Sequence, residues 1–284
     1  PYSVPAWFSF RTGKNPGKFG IFDFQTIDQN YETSITCLKK NKDAIWHILS
    51  QRGKKVGICN LNFSYPPEEV NGFMTCAGDT IQKNWTYPKE LEEEINDALG
   101  ELEYEKGWRF KLLNKDEMIK ASKETETNKL KLLEFLAKKY DFSKHELLIF
   151  GFNIDKIHHK MADETLLLEL YQHMDKMLKG ALDLISDKRD VFVISDHGGQ
   201  PEKGEFNVNT FLKKKGYLYL KDKYTKESIF KKIFNFENVL KLVQKTKIDE
   251  ILKKIAASSK LYRFVKLIPR KEPLFNPKIV DWSK

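Results

Sequence analysis

Val191-Phe192-Val193-Ile194-Ser195-Asp196-His197-Gly198 carries an unbroken apolar run straight into an Asp-His pair and a glycine. A strand with no polar position is expected in a sheet covered on both faces, as in parallel α/β folds. Such sheets take their ligands in the crevice at the carboxyl ends of the strands, so chemistry is expected where this run ends. A carboxylate and a neutral imidazole are donors that suit zinc or manganese. Leu147-Leu148-Ile149-Phe150-Gly151-Phe152 repeats the arrangement upstream, leading into Asn153-Ile154-Asp155-Lys156-Ile157-His158-His159. Asp155 and His159 stand four apart, which on a helical turn places both on one face. His158 lies beside His159, and spacing does not choose between the two imidazoles. Two strands that each deliver an Asp and a His to one sheet edge imply a dinuclear metal centre. Taken singly, the first half also fits a turn with an Asp cap and the second a solvated helix surface.

Between these strands, residues 163–186 repeat apolar side chains from Leu167 through Leu170, Tyr171, Met174 and Leu178 to Ile185. The spacing predicts a long amphipathic helix and therefore a βαβ crossover. His173 and Asp175 on that helix are read as structural. Toward the amino terminus, a helix is expected over Asp43 to Arg52 with Asp43 at its start, then a strand over Lys55 to Asn60. Paired prolines and Gly72 predict a loop from Tyr65 to about Asp79. Helices follow over Lys89 to Leu99 and Asn128 to Lys139. Alternating strands and helices predict an α/β fold, a mostly parallel sheet with helices on both faces.

With 284 residues, 40% hydrophobic and 31% charged, the composition is that of a globular chain able to bury one large core. It holds no apolar run long enough for a bilayer span, so a soluble, cytoplasmic protein without a membrane partner is expected. Cys37, Cys59 and Cys76 are odd in number and lack metal-ligand spacing, which argues against a disulfide framework. Residues 221–272 hold 15 Lys/Arg against six Asp/Glu, an excess equal to the whole chain's net charge of +9. Apolar residues at helical intervals run through this segment, from Ile229 to Ile255. It reads as a basic helical cap insertion that attracts anionic substrates, or equally as lysine-faced helices in solvent. The catalytic domain would then comprise 1–220 and 273–284. No nucleic-acid motif accompanies the charge, and a small anionic substrate is the expected partner.

The chain opens Pro1-Tyr2-Ser3-Val4-Pro5-Ala6-Trp7. Pro5 suits a first helical position, with Ser3 just ahead of it among amides that favour an anion. Together with the Thr12 to Phe24 segment, Tyr65-Pro66-Pro67-Glu68-Glu69-Val70-Asn71-Gly72, Asp155 to His159, Ser195 to Gly198 and Asn209, this opening resembles the type I phosphodiesterase/nucleotide pyrophosphatase family of the alkaline phosphatase superfamily. The resemblance implies an alkaline-phosphatase-like fold and a hydrolase of phosphoric ester or pyrophosphate bonds, with Ser3 as nucleophile and metal ligand. It assigns Asp155 and His159 to one divalent cation and Asp196 and His197 to the other, most simply zinc, with manganese as the alternative. A covalent phospho-serine intermediate would follow.

Three departures qualify the match. Ala6 stands where nucleotide-cleaving members carry Asn, and the family's Asp before the nucleophile and late His have no counterpart. From the latter two, a longer parent protein is expected. Sulfatases place Arg where this chain has Trp7, and metal-dependent phosphoglycerate mutases fit the Pro-Ala-Trp and Tyr-Pro-Pro-Glu segments poorly. A phosphomonoesterase of the same superfamily and a non-catalytic phosphate-binding relative complete the alternatives.

Overall fold

The structure is a computed structural model that describes residues 2–30, 33–35, 43–77, 83–100, 113–158, 163–185, 188–199 and 206–221. These fall within two compact units, one of Pro1–Thr26 and Ser34–Pro201, the other of Ile27–Thr33 and Glu202–Lys284. The first unit is built on a four-stranded sheet. Its strands are β3 (Val56–Leu61), β4 (Gly72–Cys76), β5 (Thr86–Tyr87) and β6 (Leu147–Phe150), in the order β5-β4-β3-β6. They follow helices α1 (Ser3–Thr12), α2 (Pro16–Phe19) and α3 (Ile45–Gln51) and a small ladder of β1 (Gln25–Ile27) with β2 (Thr33–Ile35). β3 pairs in parallel with both β4 and β6, while β5 runs antiparallel to β4. A mostly parallel α/β sheet is therefore present, as expected.

β3 is buried at all six positions, which is what a Val-Gly-Ile-Cys-Asn-Leu run requires between two parallel neighbours. Helices α4 (Leu91–Leu99) and α5 (Lys115–Tyr140) lie in the same core, where Leu132, Leu133 and Leu136 are no more than 1% exposed. Each such leucine contributes roughly 1.5–3 kcal/mol on leaving water. Phe73 stacks on Tyr140 at 4.6 Å between ring centroids and on Phe142 at 6.0 Å, joining β4 to the end of α5.

Several expectations are corrected. α5 begins at Lys115, well before Asn128, because Asn114 and Glu117 form a reciprocal capping box. Its first half is rich in Lys, Glu and Thr, so apolar periodicity is weak there. The loop predicted after Tyr65 contains β4. Gly72 opens that strand at φ 147°, and a Cβ there would sit 2.0 Å from the Val56 carbonyl oxygen. The glycine taken as a breaker is thus the residue that lets β4 approach β3. Asp43 does not cap α3; it pairs with Lys14 at 2.5 Å, and the cap position is Ala44.

The βαβ crossover also differs from expectation. α6 (Asp155–His158) and α7 (Glu164–Leu182) follow β6, and Asp163 caps α7 by accepting from the Leu166 amide. Residues 191–194, however, do not form the buried strand read from their composition. Among the described residues they join no ladder, and Phe192 and Val193 are 84% and 75% exposed. An apolar run encodes a demand for cover on both faces without specifying what supplies it, and no described element covers this one.

In the second unit, α8 (Val208–Lys214) is capped by Asn207, whose side chain accepts from the Thr210 amide. The expected cap over 221–272 lies outside the described residues, apart from Lys221. No helix among the described residues is long and apolar enough to cross a membrane.

Candidate active site at the carboxyl edge of the sheet

Ser3 does not precede the first helix as expected. It is the first residue of α1, Tyr2 occupies the cap position without a side-chain bond, and Pro5 falls later in the same turn. Proline lacks an N–H, and early helical amides have no intrahelical partner, so Pro5 is tolerated there. The Ser3 hydroxyl is thereby released from capping. The helix is tied to the carboxyl end of β3 by Arg11, whose Nη2 donates to the Asn62 and Phe63 carbonyls at 3.2 and 2.8 Å. Val4, Phe8 and Ile21 form a small buried cluster beneath it, with Phe63 packed against them.

Asp155 reaches the same edge from β6. Gly151 follows that strand where a Cβ would stand 2.0 Å from the Asn60 carbonyl oxygen, and its amide donates to Cys59 O at 2.8 Å. The chain thus leaves β6 pressed against a β3 bulge where Asn60 adopts φ 56°. Asn153 Oδ1 then accepts from the Asp155 amide at 2.8 Å and opens α6. Ile157 is fully buried with Met118, Ile119 and Leu170, which holds this short helix down.

Asp196 and His197 arrive on the segment after α7. Arg189 Nη2 donates to the Phe142 and Ser143 carbonyls at 2.7 and 3.1 Å, anchoring the segment's start near the start of β6. At its other end, Ser195 Oγ donates to the His197 carbonyl at 2.6 Å. His197 Nδ1 lies 3.1 Å from the Gly198 carbonyl, which can only accept, so Nδ1 carries a proton and Nε2 is the ring nitrogen turned to the site. That Nε2 stands 2.9 Å from Ser3 Oγ, 3.4 Å from Asp196 Oδ2 and 3.9 Å from Asp155 Oδ1.

Four of the five residues singled out in the sequence therefore meet around one imidazole nitrogen. His159 lies outside the described residues. Its neighbour His158 is turned onto α7, with Nε2 3.0 Å from the Tyr171 hydroxyl and the rings edge to face. His173 is structural, as expected: its Nε2 lies 3.1 Å from the Lys123 carbonyl and 3.2 Å from Thr127 Oγ1. Cys59 and Cys76 are buried thiols whose pKa values burial pushes up to about 12, as inert core residues should be.

The donor set fits a divalent cation in its chemistry, since two carboxylates, an imidazole and a hydroxyl converge from three separate segments. The separations are those of hydrogen bonds and ion pairs, and among the described residues no group of three His, Cys, Asp or Glu side chains is close enough to hold a metal ion. Asn153 and Glu126, which support Asp155 from behind, were not singled out in the sequence. An Asn two residues before an Asp at a strand end is the signal for the first. The Asn114/Glu117 capping box, by extending α5 to include residue 126, is the only signal for the second.

The sequence model of the type I phosphodiesterase / nucleotide pyrophosphatase family matches residues 1–273. The chain belongs to that family, whose members are hydrolases acting on phosphoric ester bonds. No curated protein and no solved structure matches the chain.

Proposed function

We propose that this chain is a metal-dependent phosphodiesterase or nucleotide pyrophosphatase with an alkaline-phosphatase-like fold, in which Ser3 is the nucleophile and a phospho-serine forms in turnover. The observation that carries the reading is the approach of Ser3 Oγ to His197 Nε2 at 2.9 Å across 194 residues of sequence, with Asp155 and Asp196 beside the same nitrogen. Asp155 with His159, and Asp196 with His197, would hold two divalent cations, zinc first and manganese second. Cations bound there would supply Lewis acidity that makes the serine hydroxyl acidic and balances charge on the departing oxygen.

The residues themselves account for the remainder. Ser3 Oγ, its proton released to solvent, attacks phosphorus; an Oγ–P bond forms, the P–O bond to the leaving alcohol or phosphate breaks and that oxygen takes a proton from water, and a second water later cleaves the Oγ–P bond and restores the hydroxyl. The place of Ser3 in the first turn of α1 sets the Ser3 and Val4 amides beside the phosphoryl oxygens, at the positive end of the helix dipole. Ala6 offers no side-chain donor where relatives that cleave nucleotides have an amide, so the backbone carries that task here.

The test is hydrolysis of nitrophenyl phosphate monoester, phosphate diester and sulfate ester by protein stripped with a chelator and then resupplied with zinc or manganese. Diester cleavage that disappears on stripping and returns with either cation is the expected result. Cleavage that survives chelation would instead assign His197 the role of general base for Ser3, which the direct 2.9 Å contact permits. A protein inert to all three esters under every condition would return the chain to phosphate binding without catalysis.

A further inference from the structure

A buried acid on α5 grips the loop that carries Asp155. Glu126 is 2% exposed and Lys129, one turn on, is 6% exposed; Lys129 Nζ donates to Glu126 Oε1 at 2.6 Å. The second carboxylate oxygen, Oε2, accepts from the Asn153 amide at 3.2 Å. Asn153 in turn accepts, through Oδ1, the amide of Asp155 at 2.8 Å. Lys129, Glu126 and the Asn153 amide are thus linked by hydrogen bonds, and Asn153 carries the link on through its own side chain to the amide of the residue whose carboxylate faces His197.

A stability role explains this pair poorly. Two charges removed from water regain little more than their desolvation cost, and well-packed apolar residues at such positions are often as stable or more so. What an apolar pair cannot do is accept the Asn153 N–H. Beyond Gly151, whose amide still donates to Cys59 O, the chain has left the β6 ladder, so its amides need acceptors from elsewhere. Glu126 supplies one at the position from which the next residue but one is aimed. Lys129 engages Oε1 and so fixes which oxygen faces the loop.

We propose that Glu126, held by Lys129, is a positioning residue for Asp155 that acts through Asn153 and sets the affinity of the site for a divalent cation. The inference rests on the reading of Asp155 as a metal ligand, and the experiment separates the two. The full chain is compared with two double variants. Glu126→Gln with Lys129→Met removes both charges but keeps an acceptor for the Asn153 amide, whereas Glu126→Leu with Lys129→Met fills the same space and removes it. Two quantities are read: hydrogen exchange of the Asn153 and Asp155 amides in metal-free protein, and the dissociation constant for zinc by calorimetry.

The leucine variant should exchange those two amides about tenfold faster while the β3 and β4 amides stay protected, and should bind zinc some 10–100-fold more weakly. The glutamine variant should stay within a few-fold of the parent in both. Equal zinc affinity in the two double variants overturns the proposal, whatever the exchange rates. If the leucine variant does not fold, Asn153→Ala, which removes only the Asp155 amide acceptor, should weaken zinc in the same direction, and unchanged affinity there overturns it too. Asp155→Ala is the control for the underlying reading. Zinc affinity unaltered by that change would show that Asp155 is not a ligand, while faster exchange in the leucine variant alone would still establish the clamp on Asn153.

Discussion

Replacing Ser3 with alanine separates the nucleophile from the fold more cleanly than any other single change here. The substitution deletes one hydroxyl and its 2.9 Å contact with His197. It removes no packed carbon, since the α1 cluster is carried by Val4 and Phe8. One part-buried hydrogen bond is worth about 1 kcal/mol, which lowers Tm by only some 2–4 °C in a chain of this size. Turnover should fall far more, on the order of 10⁴-fold or beyond, as expected when the attacking atom itself is lost. The assay is nitrophenolate release from a phosphate diester, paired with an acid quench that traps phosphorylated enzyme for intact-mass measurement. The parent should accumulate an adduct on Ser3 whose mass is that of the phosphoryl unit with its remaining ester group, and Ser3→Ala should show neither product nor adduct. A variant that hydrolyses the diester within tenfold of the parent would refute the reasoning and transfer attack to water.

Gly151→Ala should destabilise the protein by about 1–3 kcal/mol or more, because the added Cβ would stand 2.0 Å from a backbone oxygen, Asn60 O, that has no rotamer by which to move aside. A melting temperature equal to the parent's would contradict this. His145 is buried, its Nε2 has no hydrogen-bond partner among the described residues, and burial pushes its pKa down. The folded state therefore holds it neutral, so its contribution is complete above the ordinary histidine value of roughly 6.5 and is lost as pH falls below that toward the depressed folded value. His145→Leu should flatten the decline in the denaturant midpoint just below neutral pH; a decline as steep as the parent's would exclude His145 as its source.

The parts of the fold legible in the sequence are those where local pattern and tertiary demand agree. β3, β6, α4 and α7 fall within a few residues of expectation because each is an apolar run or stripe bounded by its own caps and turns. The misreadings are places where one residue answers to a distant partner. Gly72 looks like a breaker until Val56 lies against it, and Asp43 looks like a cap until Lys14 takes it. Neither partner is within ten residues, so no window of sequence can contain the reason. Glu126 belongs to the same class: among many charged residues on α5, it is the one that meets the Asn153 amide in the loop after β6, 27 residues away in sequence.

The Asp-His segment shows how a site can be legible when the element bearing it is not. Residues 191–194 were expected to place Asp196 and His197 by pairing in the sheet, yet they join no ladder among the described residues. The segment is held instead by polar side chains at its two ends. Arg189 is fastened to the Phe142 and Ser143 carbonyls before β6 begins, and His197 contacts Ser3 and the two carboxylates beyond where β6 ends. The first anchor meets residues that precede β6 in the chain and the second meets Asp155, which follows it, so the segment is tied at both ends to the surroundings of that strand. Asp196 and His197 therefore reach Ser3 and Asp155 although, among the described residues, their segment makes no ladder pairing. This is why residues picked from a motif can meet in space even where the strand that should bear them is misassigned.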